Sequence, residues 1–204
     1  MNTEKIFYLV IGRSGCGKGT QAELLKKWIE DKGAENGNQE KILNITTGGN
    51  FRDFLKTDSY TAHTSKDIVA SGGLMPEFLA IWNWASIFIN NLKSYEHVIL
   101  DGAPRRMVEA HSLETAILFY GYKYATVIYL DVSKDWAMEK LTLRGRGDDN
   151  DKIEQERKMS WFEADVMPCI ENYKNNSNYK FIHIDGEQSV TEVNLEIIKK
   201  LENK

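Results

Sequence analysis

The chain of 204 residues is short of several things at once. It has two cysteines, Cys16 and Cys169, far apart and outside any paired-ligand spacing. That argues against a disulfide framework or a cysteine zinc site, and fits reduced thiols in a cytoplasmic compartment. Three prolines leave no room for a proline-rich linker, and no low-complexity tract or internal repeat interrupts the sequence. The apolar runs are too short to span a bilayer, and the opening MNTEKIFYLVIG lacks the basic segment and cleavage site of a signal peptide. A net charge of −4 lacks the basic excess that nucleic acid or a membrane surface would require of a partner. Arginine is scarce too, at seven residues against 19 lysines. Where lysine supplies general solubility, the few arginines are worth locating, because a planar guanidinium pairs bidentately with phosphate or carboxylate.

What is present reads as one globular α/β domain. The chain is 42% hydrophobic and 27% charged, and long enough to bury a substantial core. Short apolar runs at 5–11, 41–46, 97–101, 125–131 and 179–185 are continuous enough for strands buried on both faces. Helical patterns lie near 18–31, 76–93, 105–120, 133–143, 151–174 and 189–202. In the first of these, Ala22, Leu25, Trp28 and Ile29 share one face. Strand and helix in alternation predict a five-stranded parallel sheet with helices on both sides, a three-layer α/β/α arrangement. Two stretches break the alternation. Residues 47–75 are polar and helical in patches, and 144–150 is a charged glycine loop. The expected division is a core of 1–46 and 76–204, an insert at 47–75, and the loop at 144–150 within the core.

Residues 12–20, GRSGCGKGT, follow the first strand and open the first helix. Glycines there let backbone N–H groups turn inward to form an anion nest at a helix N-terminus, and Lys18 adds a point charge. The run fits the phosphate-loop pattern G-x-x-x-x-G-K-[ST] until its last place. There it has Gly19, with the hydroxyl one residue late at Thr20. A second signal is HVILDGAPRR, where an apolar strand ends in Asp101, the usual place for a carboxylate near a nucleotide-bound Mg²⁺. Arg105 follows within a turn. A third is LTLRGRGDDN, with Arg144 and Arg146 flanking Gly145.

Taken together, these segments resemble the adenylate kinase family of nucleoside monophosphate kinases. The family loop G-x-P-G-x-G-K-G-T-Q-A matches GRSGCGKGTQA. TGGNFR, GGLMP, LDGAPR, RGRGDDN and the terminal IDGEQSV are similar to family motifs in the same order, over nearly the whole chain.

The resemblance implies transfer of a phosphoryl group from ATP to AMP with Mg²⁺, in a phosphate-loop fold with a small helical acceptor-binding insert and a very short lid loop. It implies that Gly15, Cys16, Gly17, Lys18, Gly19, Thr20 and Arg144 bind ATP. It gives Thr47, Arg52, Met75, Gly102, Arg105 and Glu109 to the acceptor monophosphate. Lys18, Arg105, Arg144, Arg146 and Arg157 would act on the transferred group, and Asp101 would hold Mg²⁺ through water. With one residue between Arg144 and Arg146 and no cysteine nearby, the lid has no place for a structural zinc. A monomer is the default of this architecture.

Three departures qualify the resemblance. Ser14 stands for the loop proline. Gly49 stands for an acidic residue in the acceptor segment. Glu109 stands where the family has a glutamine that reads adenine. A glutamine both accepts and donates, whereas an ionised glutamate only accepts, which suits guanine better than adenine. AMP remains the expected acceptor, with GMP or another monophosphate as the alternative, and a catalytically dead nucleotide-binding module as the rival from another class. Cys16 lies beside Lys18 at a helix N-terminus, where a thiolate is favoured, although a small inert loop residue is the simpler reading. Trp82, Trp84 and Phe88 read as core packing, and the four histidines as structural or surface residues.

Overall fold

The computed structural model describes residues 5–94, 96–145 and 151–203. Its sheet has five parallel strands: β1 (Phe7–Gly12), β2 (Lys41–Thr46), β3 (Glu96–Asp101), β4 (Ala125–Asp131) and β5 (Tyr179–Asp185). Their order is β2-β3-β1-β4-β5. Phe7 is in register with Val98 on one side and Ala125 on the other, so β1 is central. Its side chains alternate between two cores. Phe7, Leu9 and Ile11 enter the one with Phe88, Leu113, Phe162 and Tyr173, while Tyr8 and Val10 enter the one with Leu25, Ile128, Leu141 and Ile197. Burying each such aliphatic or aromatic side chain contributes roughly 1.5–3 kcal/mol, so the loop after β1 is rooted in the most firmly held strand.

Helix α1 (Lys18–Glu35) follows β1, and α2 (Thr47–Phe54) and α3 (Tyr60–Ala70) follow β2. Next come α4 (Glu77–Asn91), α5 (Met107–Phe119) and α6 (Lys134–Arg144), and α9 (Val190–Glu202) closes the chain. The run predicted at 151–174 is not one regular helix. It comprises α7 (Lys152–Trp161), a π-helical turn at Phe162–Val166, and α8 (Met167–Asn175). Helix starts obey simple rules. The Ser133 hydroxyl accepts from Trp136 N at 3.3 Å to begin α6, and Ser189 and Glu192 form a reciprocal capping box at α9. Helix α1 runs four residues past its predicted end. A Cβ on Gly33 would lie 2.5 Å from Glu40 Cγ, so glycine there lets the chain double back against the helix. Among the described residues, no helix is long and apolar enough to cross a membrane.

Trp84 and Phe88 are core residues, as their apolar helix suggests, but Trp82 is not. It is half-exposed and packs edge-on against Phe54 at 5.0 Å between centroids. His97 is buried near the amino ends of the strands. Its Nδ1 accepts from Ile6 N at 3.1 Å, which leaves Nε2–H to face Glu40 at 3.2 Å.

Candidate functional site

Phosphate-loop residues, Thr47 after β2 and Gly102 after β3 meet at the carboxyl ends of the strands, where open α/β sheets bind ligands. They open on one cavity of about 630 Å³. Lys18, Arg52, Asp101, Arg105, Glu109 and Arg144 all line it.

In the loop, Gly15 and Gly17 have φ of 92° and 90°, which favours glycine at both. Gly15 also has no space for a side chain, since a Cβ would lie 2.6 Å from the Ala137 carbonyl oxygen. Lys18 Nζ donates to the Gly12 and Arg13 carbonyls at 2.8 and 2.6 Å, which holds its charge at the mouth of the loop. Cys16 is buried. Burial pushes its thiol above the ordinary range, while Lys18 pulls the other way. The smaller role, an inert loop thiol, is the one this geometry fits. A Cβ on Gly19 would stand 3.4 Å from Asp101 Oδ2. A serine or threonine at that place would set its hydroxyl against the carboxylate. Glycine leaves that approach open, and Thr20 lines the cavity one residue later.

Arg13, also in the loop, does not point at the cavity. Its Nε donates to Val132 O at 2.8 Å, its Nη1 lies 2.6 Å from Glu163, and its guanidinium covers the Phe162 ring at 4.3 Å.

Across the cavity, Thr47 is buried. Its hydroxyl donates to the Asp101 carbonyl at 3.1 Å, and its own carbonyl accepts from Asn83 Nδ2 at 2.9 Å. Gly102 has a φ of 85°, and a Cβ there would meet Thr47 Oγ1 at 2.8 Å. Arg52 folds back over the start of α2, 3.8 Å from where a side chain on Gly49 would begin. An acid at 49 would neutralise Arg52; with glycine, no carboxylate at that position competes with a phosphate for it. Arg105 Nε donates to Gly102 O at 2.9 Å, and its guanidinium stands 5.2 Å from the Trp161 ring centroid.

Glu109 is 3% exposed yet lines the cavity. Its Oε2 accepts from Arg105 N at 2.6 Å and its Oε1 from Trp84 Nε1 at 3.1 Å. N–H donors on both oxygens, with the Arg106 backbone N–H as a third, explain the departure from glutamine, which has a single oxygen. Burial pushes the carboxyl above its ordinary range, and the N–H groups and the Arg105 charge pull it back. Beside it, Arg106 Nη1 donates to Met75 O at 3.2 Å, and its Nε lies 3.3 Å from Asp165 Oδ1.

Of the remaining expected residues, Arg144 ends α6 and lines the cavity. Arg146 lies outside the described residues. Arg157 is exposed, and its Nη1 donates to Ser71 O rather than lining the cavity. Its neighbour Lys158 is buried and does line it, as does Trp161, whose Nε1 donates to Gly72 O at 3.1 Å. Sequence reasoning missed Lys158, Trp161 and Asn83. For Trp161 a signal was available, since it falls four residues after Arg157, on the same side of a helix.

A family model described as adenylate kinase matches residues 10–178. The adenylate kinase of Prochlorococcus marinus is 32% identical over 180 residues, covering 88% of this chain and 90% of that protein. That of Bacteroides thetaiotaomicron is 31% identical over 182 residues, 87% and 88% of the two chains. Adenylate kinase 1 of Nostoc sp. is 29% identical over 189 residues, 93% and 95%.

Proposed function

The chain belongs to the adenylate kinase family, and from that premise we propose that it transfers the γ-phosphoryl group of ATP to AMP, reversibly, giving two ADP. The observation that carries this reading is the single cavity in which the phosphate loop and Lys18 face Thr47, Arg52 and Arg105 across one continuous space. Two phosphorylated ligands entering from opposite ends would meet between these cations.

No general base is required. The nucleophile is an oxygen of the acceptor's own phosphate, whose second pKa of about 6 leaves it largely ionised near neutrality. What the protein supplies is alignment of two polyanions and neutralisation of their charge. Lys18 and the loop N–H groups hold the donor phosphates, and Arg52 and Arg105 hold the acceptor phosphate. Arg144, at the end of α6, faces the same cavity, and Arg157 joins the transferred group when Ser71 releases it. Residues 47–75 form the acceptor-binding insert; the lid expected at 144–150 lies, beyond Gly145, outside the described residues.

Asp101 suits Mg²⁺. It is a hard oxygen donor, 6% exposed, set beside Gly19 at the loop. Among the described residues, no three His, Cys, Asp or Glu side chains group as metal ligands. One carboxylate supplemented by water and substrate phosphate is how Mg²⁺ is commonly held. When bound with ATP, the ion would neutralise charge on the phosphate oxygens.

The test is a coupled ADP-formation assay with ATP, Mg²⁺ and AMP. Turnover is expected in the wild type, with a loss of roughly 10²–10³-fold in kcat for Lys18→Met, by analogy with removal of one transition-state donor. ATP binding without turnover on any monophosphate would instead favour a non-catalytic nucleotide-binding module.

A further inference from the structure

We propose that the acceptor pocket also takes 6-oxopurine nucleoside monophosphates, such as IMP and GMP, with Arg106 donating to the 6-oxo group and Glu109 accepting from the ring N–H. This rests on the monophosphate kinase reading above and extends its acceptor class.

The argument is one of donors and acceptors. Adenine presents an amino donor beside a ring nitrogen that accepts. A 6-oxopurine presents the inverse, a carbonyl acceptor beside a ring N–H. At this end of the cavity stand Met75, Arg106 and Glu109. The Met75 carbonyl accepts from Arg106 Nη1 at 3.2 Å, which takes one of its two lone pairs and leaves the other for an amino proton. Arg106 carries five N–H donors and no acceptor. Two of its nitrogens are engaged, Nη1 at Met75 and Nε at Asp165, and these contacts fix the guanidinium at the rim.

Glu109 is the complementary element. Its Oε2 takes the Arg105 N–H and its Oε1 the Trp84 N–H, the Arg106 backbone N–H is a third donor, and a carboxylate with about four lone-pair sites keeps one for a ligand. An ionised carboxylate so held offers acceptance only. A donor at the Met75 side with an acceptor at the Glu109 side matches a carbonyl beside a ring N–H. Adenine in the same pose sets its amino group toward Arg106 and its ring nitrogen toward a carboxylate. Those two pairings are unmatched, while the second lone pair of the Met75 carbonyl can still take the amino proton, so the pocket offers each purine class a partial match.

The experiment measures kcat/KM for AMP, IMP and GMP with saturating ATP and Mg²⁺. IMP and GMP are expected to reach at least one-tenth of the AMP value, and Arg106→Met to lower that ratio about tenfold. Glu109→Gln should also lower it. Because that change leaves Trp84 N–H facing an amide N–H₂, Trp84→Phe with Glu109→Gln is measured beside it, and thermal unfolding checks that each variant is folded. AMP turnover with both oxopurines below one-tenth, or a ratio unmoved by both Arg106→Met and the paired variant, would overturn the proposal alone. No turnover of any monophosphate, AMP included, would overturn the kinase reading and this proposal with it.

Discussion

The contact between Glu109 and Trp84 makes a quantitative prediction about stability, separate from catalysis. In Glu109→Gln, one oxygen must serve where two did. If it keeps the shorter bond, 2.6 Å from Arg105 N, the amide nitrogen turns toward Trp84 Nε1 and two donors face each other. Losing a bond to a charged acceptor costs roughly 1.5–3 kcal/mol. Burial is the largest influence on Glu109 and works against its charge, so a neutral side chain recovers part of that loss. The expected net cost is about 1–2 kcal/mol, or roughly 2–8 °C in Tm for a chain of this size. Trp84→Phe removes the opposing donor while keeping an aromatic ring in the core. In that background, Glu109→Gln should cost under about 0.5 kcal/mol, since the Arg105 bond is retained. Urea unfolding of the wild type, both single variants and the double variant completes the cycle. A coupling of about 1 kcal/mol is expected, and a coupling within about 0.3 kcal/mol of zero would refute the account of Glu109 as an acceptor on both oxygens.

Two further outcomes are expected. Gly102→Ala puts a Cβ at a φ of 85° and 2.8 Å from Thr47 Oγ1, so it should displace Thr47 and raise the KM for the acceptor well above that for ATP; equal effects on both would count against it. The ratio of AMP to IMP kcat/KM should fall as pH rises through the ionisation of Glu109, which lies above the ordinary carboxylate value of 4.5. Below that point a neutral carboxyl has an O–H to offer adenine's ring nitrogen, and above it there is none. Ionisation of the acceptor phosphate is common to both substrates and cancels in the ratio. A ratio with the same slope in Glu109→Gln would show that another group is responsible.

The strands were readable because buried parallel strands are nearly continuous apolar runs, and 41–46, 125–131 and 179–185 agree with the observed limits. The phosphate loop was readable because Gly15 and Gly17 need glycine for backbone reasons alone. Scarce arginines were a less faithful guide. Arg52, Arg105, Arg106 and Arg144 line the cavity, but Arg13 is committed to Glu163 and Val132. Arg106 is divided between Asp165 and Met75. Composition locates a guanidinium but does not say whether a phosphate or a carboxylate answers it, because both offer the same paired oxygens. The partner of Glu109 was hidden for a different reason. Trp84 is 25 residues away on another helix, and its apolar ring gave a sufficient reason for its burial before its N–H was considered.

The π-helical turn at Phe162–Val166 has a consequence for how the chain tolerates length changes. Glu163 and Asp165 leave this one turn toward Arg13 and Arg106 respectively, so the phosphate loop and the acceptor rim are moored to the same five residues. A π turn accommodates one residue more than an α turn. Deleting Ala164 would therefore restore an unbroken α-helix with its flanks nearly in register, yet make Glu163 and Asp165 adjacent, about 100° apart around the axis. Regular secondary structure would be gained while one mooring was lost. The extra residue is what lets one turn hold both ends of the cavity, and a deletion that leaves the helix better formed would release one of them.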